Sequence, residues 1–218
     1  MRPSGPPEAA LESNLFMLCR RVERSAFAPL PAPFSWTLCR PEDLPAWRAL
    51  TWDGRGDPAA HHREMAAYFD AVYAPRQADF FASCLLVRDG EGRAVGTGLL
   101  WRAYGRLLTL HWLQVAPAWE GRGLGRAILT RLLSVPAQTG EAVFLHTQPA
   151  SFRAIKLYTD FGFALLTGGP VGRRENQLDA ALPLLRARMP QAAYARLHFA
   201  PAPPELLEAA ASGSHSEF

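Results

Sequence analysis

One stretch constrains the fold more than any other. Residues 107–129 read LLTLHWLQVAPAWEGRGLGRAIL: a nine-residue apolar run, a proline, three glycines in five positions, then a run with helical spacing. Leu107 to Val115 is apolar on both faces, which places it at the centre of a sheet. Leu124, Ile128 and Leu132 form one stripe with Arg126 and Arg131 off it, so the run after the glycines is an amphipathic helix. A helix that opens on glycines leaves its first N–H groups free. Those groups and the helix dipole attract an anion, and glycine lets the backbone approach it closely. Strand, glycine turn and helix therefore read as the centre of an α/β domain with a phosphate site at the turn.

Two known phosphate patterns fail on this turn. A dinucleotide fingerprint needs GxGxxG, but counting from Gly121 the third position is Arg126, and from Gly123 it is Ile128. No GK[ST] follows the glycines, so a P-loop is excluded as well. A nucleotide-binding domain is disfavoured on both counts.

The rest of the chain reads as mixed α/β. SWTLCR from Ser35 alternates weakly and reads as a strand, and EDLPAWRALTW follows as a helix. WDGRGDPAAHH is turn chemistry, and REMAAYFDAVY has helical spacing. FFASCLLVRDGEGRAVGTGLLWRAY reads as two strands joined by a DGEG turn. After the glycine helix come a strand (EAVFLHT), a helix (ASFRAIKLYTDFG), a strand (FALLTG), a helix (ENQLDAALPLLRARMP) and a last strand (ARLHFA). Hairpins early and crossovers late exclude a uniformly doubly wound sheet. Residues 1–34 are proline-punctuated and read as an added arm, in which LFMLCRRV is a strand or a short helix. Residues 35–200 form the domain, and 201–218 a tail whose SGSHSEF ending reads as disordered.

A second segment, FLHTQPASFRAIKLYTDFGF at residues 144–163, follows the glycine turn at a telling distance. Together the two resemble the GNAT superfamily of acetyl-CoA-dependent N-acetyltransferases. Gly123 and Gly125 match the glycines of its Q/R-x-x-G-x-G/A signature. Ala154, Ile155, Leu157, Tyr158 and Phe161-Gly162-Phe163 match its N-x-x-A-I-x-L-Y-x-x-x-G-F motif. Glu120 departs from the Gln or Arg of the first signature, and Ser151 from the Asn often found in the second.

The resemblance implies a GNAT fold: a mixed, mostly antiparallel sheet of six to seven strands, flanked by helices and splayed at the cofactor site. The splay would fall between LLTLHWLQV and EAVFLHT. Acetyl-CoA is the implied cosubstrate. Its diphosphate would lie on residues 120–126 (Glu120, Gly121, Arg122, Gly123, Leu124, Gly125, Arg126) and its pantetheine arm along Leu113, Gln114 and Val115, near Ser151 and Ala154. Arg122 or Arg126 would offset the charge of Glu120. The Val115 N–H would face the thioester oxygen, a donor worth about 3 kcal/mol in such transition states. By family analogy Tyr158 is the general acid. A base is wanted because an alkyl ammonium has a pKa of about 10. His111 alternates with Leu113 and Val115, which puts all three on one face of the strand, and His146 ends the neighbouring strand as its rival. The acceptor pocket is expected under residues 52–68, lined by Trp52, Asp53, His61 and Tyr68, with Asp57 and His62 alongside.

The expected function is acetyl transfer to a primary amine, on a small molecule or a peptide, by direct attack in a ternary complex. A non-catalytic module that binds or senses acyl-CoA is the alternative. A formal charge of +3 with no basic block argues against nucleic acid, and no run of eighteen apolar residues argues for a membrane span. The proline- and acid-containing start and the three scattered cysteines (Cys19, Cys39, Cys84) suit free thiols in the cytoplasm, and no metal-ligand spacing is present. Many relatives dimerise, so a homodimer is a further expectation.

Overall fold

A computed structural model describes residues 11–52, 54, 56–213 and 217. Eight strands form one sheet: β1 (Leu15–Cys19), β2 (Ser35–Leu38), β3 (Leu85–Arg88), β4 (Ala94–Ala103), β5 (Leu107–Val115), β6 (Val143–Thr147), β7 (Ala164–Thr167) and β8 (Phe199–Pro201). Their spatial order is β2-β3-β4-β5-β6-β1-β7-β8, antiparallel except for β5–β6 and β7–β8. The helices of seven or more residues are α1 (Leu44–Leu50), α2 (Pro58–Tyr68), α3 (Gln77–Ser83), α4 (Leu124–Leu133), α5 (Phe152–Asp160), α6 (Leu178–Arg188) and α7 (Pro204–Ser212).

Residues 15–19 are not an outlying arm. β1 sits between β6 and β7, with all five residues buried and pairs to both neighbours. A strand covered on both faces has no period-two alternation, so its sequence does not separate it from a buried helix. The boundary drawn at residue 35 therefore cuts through the sheet. Residues 80–83, read as the start of a strand, instead finish α3, and β3 begins at Leu85. The proposed tail is also partly structured. α7 buries Leu206, Ala209 and Ala210 against Phe16, Leu18, Phe144 and Leu166. Composition at the far end hid the apolar stripe of PELLEAAAS.

Two faces of the sheet carry different cores. α4, α5 and α6 cover one, through Leu124, Ile128, Ile155, Tyr158 and Leu185. On the other, α1, α2 and α3 bury an aromatic cluster in which Trp47, Phe69, Tyr73 and Phe80 pack largely edge-to-face. Gly98 on β4 lets α4 lie directly on the sheet, since a Cβ there would stand 2.9 Å from Ile128 Cγ2 and 3.1 Å from Leu132 Cδ1.

The β4–β5 pair carries a bulge. Leu99 pairs with His111 and Thr97 with Gln114, so Trp112 and Leu113 together oppose Gly98. Trp112 adopts φ 51°, a left-handed conformation that costs a tryptophan about 1–2 kcal/mol. The extra residue reverses the alternation. Leu113 and Val115 pack with the α4–α5 core, while Trp112 packs with the aromatic cluster and His111 bonds into it. His111 therefore does not share a face with Leu113 and Val115, as strict period two required.

Candidate active site

β5 and β6 pair only at Leu108–Val143 and Thr109–Phe144. Beyond that point the strands diverge, although β5 continues to Val115 and β6 to Thr147. The gap opens two cavities. One, of about 600 Å³, runs over the glycine turn and the start of α5. The other, of about 370 Å³, lies between β5, β6 and the α1–α2 side. They share Leu113, Gln114, Ser151 and Ala154 in their walls and so adjoin along β5 and the start of α5.

The first cavity lies over the glycine turn and the free amides at the head of α4. Gly121 and Gly123 have φ of 75° and 84°, and Gly123 caps α4 in the left-handed region. No side chain caps this helix end. The first main-chain bond back to the cap is Ala127 N–H to Gly123 C=O, leaving the Leu124, Gly125 and Arg126 amides at the mouth. The wall contains Arg126, Arg153, Lys156 and Arg188 against one acid, Glu120. Glu120 pairs with Arg153 at 3.3 Å, which screens its charge. Arg126 contributes its amide but not its side chain, because the guanidinium bonds Asp160 at 2.7 Å and the Ala26 carbonyl at 3.1 Å. The remedy expected from Arg126 is thus unavailable, while Arg122 lies over the Trp119 ring at 4.7 Å, on the turn itself. Ser151 makes no cap bond at the start of α5 and is exposed where the cavities meet.

The second cavity collects Tyr158, His111, His146, Thr51, Tyr68, Trp112, Arg174 and Glu217. Tyr158 is 7% exposed, and desolvation pushes its phenol well above the usual tyrosine range. The ring packs on Phe163, and its hydroxyl has no hydrogen-bond partner among the described residues. It is a protonated donor at neutral pH.

Neither histidine offers a free lone pair to the cleft. Thr109 donates to the Trp101 carbonyl, so it accepts from His111 Nε2–H at 2.8 Å. The other nitrogen, Nδ1, accepts a hydrogen bond from the Tyr73 hydroxyl at 2.6 Å, and Tyr73 in turn accepts from Trp112 Nε1 at 2.9 Å. His146 Nε2–H donates to Asn14 Oδ1 at 2.9 Å, and Nδ1 accepts from Arg174 at 3.0 Å. Burial, and then the Arg174 charge, lowers both rings to about 3. Both imidazoles expected as base, His111 and His146, are neutral here and bonded at each ring nitrogen.

The buried His111 has a consequence for stability. Its folded pKa lies below the ordinary 6.5, so between about pH 3 and 6.5 the unfolded chain binds more protons than the folded one. The stabilisation is complete above pH 6.5 and is lost as the pH falls, at about 1.4 kcal/mol per unit for one ring. Urea unfolding compared between pH 7.5 and 5.5 should show a loss about 1.4 kcal/mol larger in the wild type than in His111→Gln. Equal losses would contradict a neutral buried ring.

Of the proposed acceptor residues, Tyr68 lines the cleft. His61 stands behind the wall, bonding Thr51 Oγ1 at 3.0 Å. Trp52 is not part of the lining, and Asp53 lies outside the described residues. Asp57 caps α2 through the Ala59 and Ala60 amides. Thr51, Arg174 and Glu217 are additions that no motif marked. The Glu217 carboxylate accepts from Trp101 Nε1 at 3.0 Å and lies 3.5 Å from Arg76. Among the described residues no group of three His, Cys, Asp or Glu is placed to hold a metal, and no helix is long and apolar enough to cross a membrane.

Comparison with known proteins defines the class. The family model described as Acetyltransferase (GNAT) family matches residues 44–163, and the chain belongs to this family. Similar solved structures include a tandem GNAT protein from the clavulanic acid biosynthesis pathway (13% identity, TM-score 0.50, 74% of this chain and 57% of that one). An acetyltransferase of the GNAT family from Colwellia psychrerythraea is 18% identical (TM-score 0.47, 71% and 53%). The diaminobutyrate acetyltransferase EctA of Paenibacillus lautus, solved with L-2,4-diaminobutyric acid and coenzyme A, is 16% identical (TM-score 0.42, 59% and 74%). The chain spans 37% to 65% of the length of four other such structures. No curated protein matches it.

Proposed function

We propose that this protein transfers an acetyl group from acetyl-CoA to a primary amine by direct attack within a ternary complex. The observation that carries this reading is the pair of adjoining cavities: a glycine-turn cradle beside the start of α4, and a polar cleft that holds Tyr158. The cradle fits a diphosphate, because three uncapped amides and two left-handed glycines converge there, with Arg188 in the wall and Arg122 on the turn. Bound acetyl-CoA supplies the activated acyl carbon.

The chain's own residues then do three things. The α4 amides, with Arg122 and Arg153, hold the phosphates. The unpaired edge of β5 from Leu113 to Val115 and the free Ser151 hydroxyl line the path for the pantetheine arm. The Tyr158 hydroxyl gives its proton to the sulfur as negative charge develops there. With both imidazoles bonded and Glu217 held by Trp101 and Arg76, the acceptor reacts as its neutral fraction, and the proton its nitrogen sheds on acylation passes through water to restore the Tyr158 phenol. The three buried free cysteines suit a reducing compartment, and we place the protein in the cytoplasm.

The occupied lone pairs of His111 and His146 favour one other reading, a module that binds acyl-CoA without catalysis. Purified protein, acetyl-CoA and a panel of primary amines separate the two. Amine-dependent thiol release is the expected result. Tight acetyl-CoA binding with no release from any amine would select the sensing reading.

A further inference from the structure

We infer that Arg174 recognises a carboxylate, and that the acceptor is an amine carrying one, an amino acid or a peptide with a carboxylate near its amine. This rests on the transferase reading and names the substrate class of the same cleft.

The turn that carries Arg174 is firmly built. Val171 and Arg174 exchange main-chain hydrogen bonds at 2.9 and 3.2 Å. Asn14 and Gln177 tie the segment to the start of β1, Gln177 N–H donating to the Asn14 carbonyl at 3.0 Å and Asn14 N–H to Gln177 Oε1 at 2.9 Å. Asn176 Nδ2 donates to the Leu166 carbonyl at 2.8 Å. One guanidinium N–H is fixed on His146 Nδ1, which is held from behind by Asn14 Oδ1. Arg174 is half-buried and forms part of the cleft wall, so its head is aimed at the cavity by a purpose-built support.

That head has no counter-ion among the described residues. The carboxylate in the same wall, Glu217, is engaged by Trp101 and Arg76 instead. A neutral imidazole orients a guanidinium but does not balance its charge. A half-buried cation with most of its forked donors unspent matches a planar anion, and a carboxylate accepts two of those donors in parallel. The same charge repels an ammonium group. A simple polyamine is therefore disfavoured, whereas a zwitterion brings its own anion. The charge beside the amine also lowers the amine's pKa, which raises the neutral fraction in a cleft whose two imidazoles are both bonded.

The test compares L-amino acids with their C-terminal carboxamides as acceptors, by kcat/KM, and the corresponding N-acetyl products with their carboxamides as ligands of the CoA-loaded protein, by calorimetry. At least one pair should show a tenfold or larger preference for the carboxylate in both measurements. In Arg174→Gln the preference should vanish, with carboxamide and coenzyme A binding changed less than twofold. The absence of any carboxylate preference, or its survival in Arg174→Gln, overturns the proposal. If no amine releases thiol the transferase reading fails, and the calorimetric comparison alone still decides whether Arg174 is a carboxylate anchor.

Discussion

Tyr158→Phe should lower kcat by about a hundredfold or more while leaving the Kd for coenzyme A within threefold, since a positioned general acid contributes about 10²–10⁴. The variant keeps the ring that packs on Phe163 and removes only a hydroxyl that no described residue binds. Stability should therefore change little, and a comparable Tm would show that the fold is intact. The phenol is desolvated and so stays protonated across the neutral range. It suits donation to a sulfur whose own charge is poorly solvated in the same site. Equal losses in kcat and in coenzyme affinity would instead make Tyr158 a packing residue of α5.

The pH dependence of kcat/KM should be steep. With both cleft imidazoles neutral and bonded at each nitrogen, neither is free to serve as a base. The rate should follow the neutral fraction of the amine, rising about tenfold per unit up to the pKa of the acceptor, near 8 for a peptide α-amine and near 10 for an alkylamine. Over two pH units below that value the change is about a hundredfold. His111→Gln should leave the slope in place. A plateau that begins near pH 6.5 in the wild type and disappears in His111→Gln would restore His111 as the base.

Much of this architecture is legible in the sequence, for reasons that can be named. The glycine turn announces itself because left-handed backbone and a helix start coincide at Gly123. The splay between LLTLHWLQV and EAVFLHT is legible because each strand runs directly into a segment that matches a family motif. What escaped was non-local or too small for a pattern. β1 is apolar throughout and gives no period. The bulge at Trp112 is a single inserted residue, yet it moves His111 to the opposite face from Leu113. Arg126 lies beside the anion site in sequence, but its side chain turns to Asp160. Arg174 sits in a loop without a motif, and only the fold brings it to His146. Cys39 and Cys84, remote in sequence, lie at paired positions where the Cys39 N–H meets the Cys84 carbonyl at 2.8 Å.

The account stands on the cradle at the head of α4, and titration calorimetry of the purified protein with coenzyme A addresses it directly. One site per chain is expected in the wild type. Gly123→Val, which forces a β-branched residue into a φ of 84° beside the free amides, should weaken binding at least tenfold at unchanged salt. Absence of binding heat from the wild type across a range of temperatures, or undiminished affinity in a folded Gly123→Val, would contradict the diphosphate site and the chemistry built upon it.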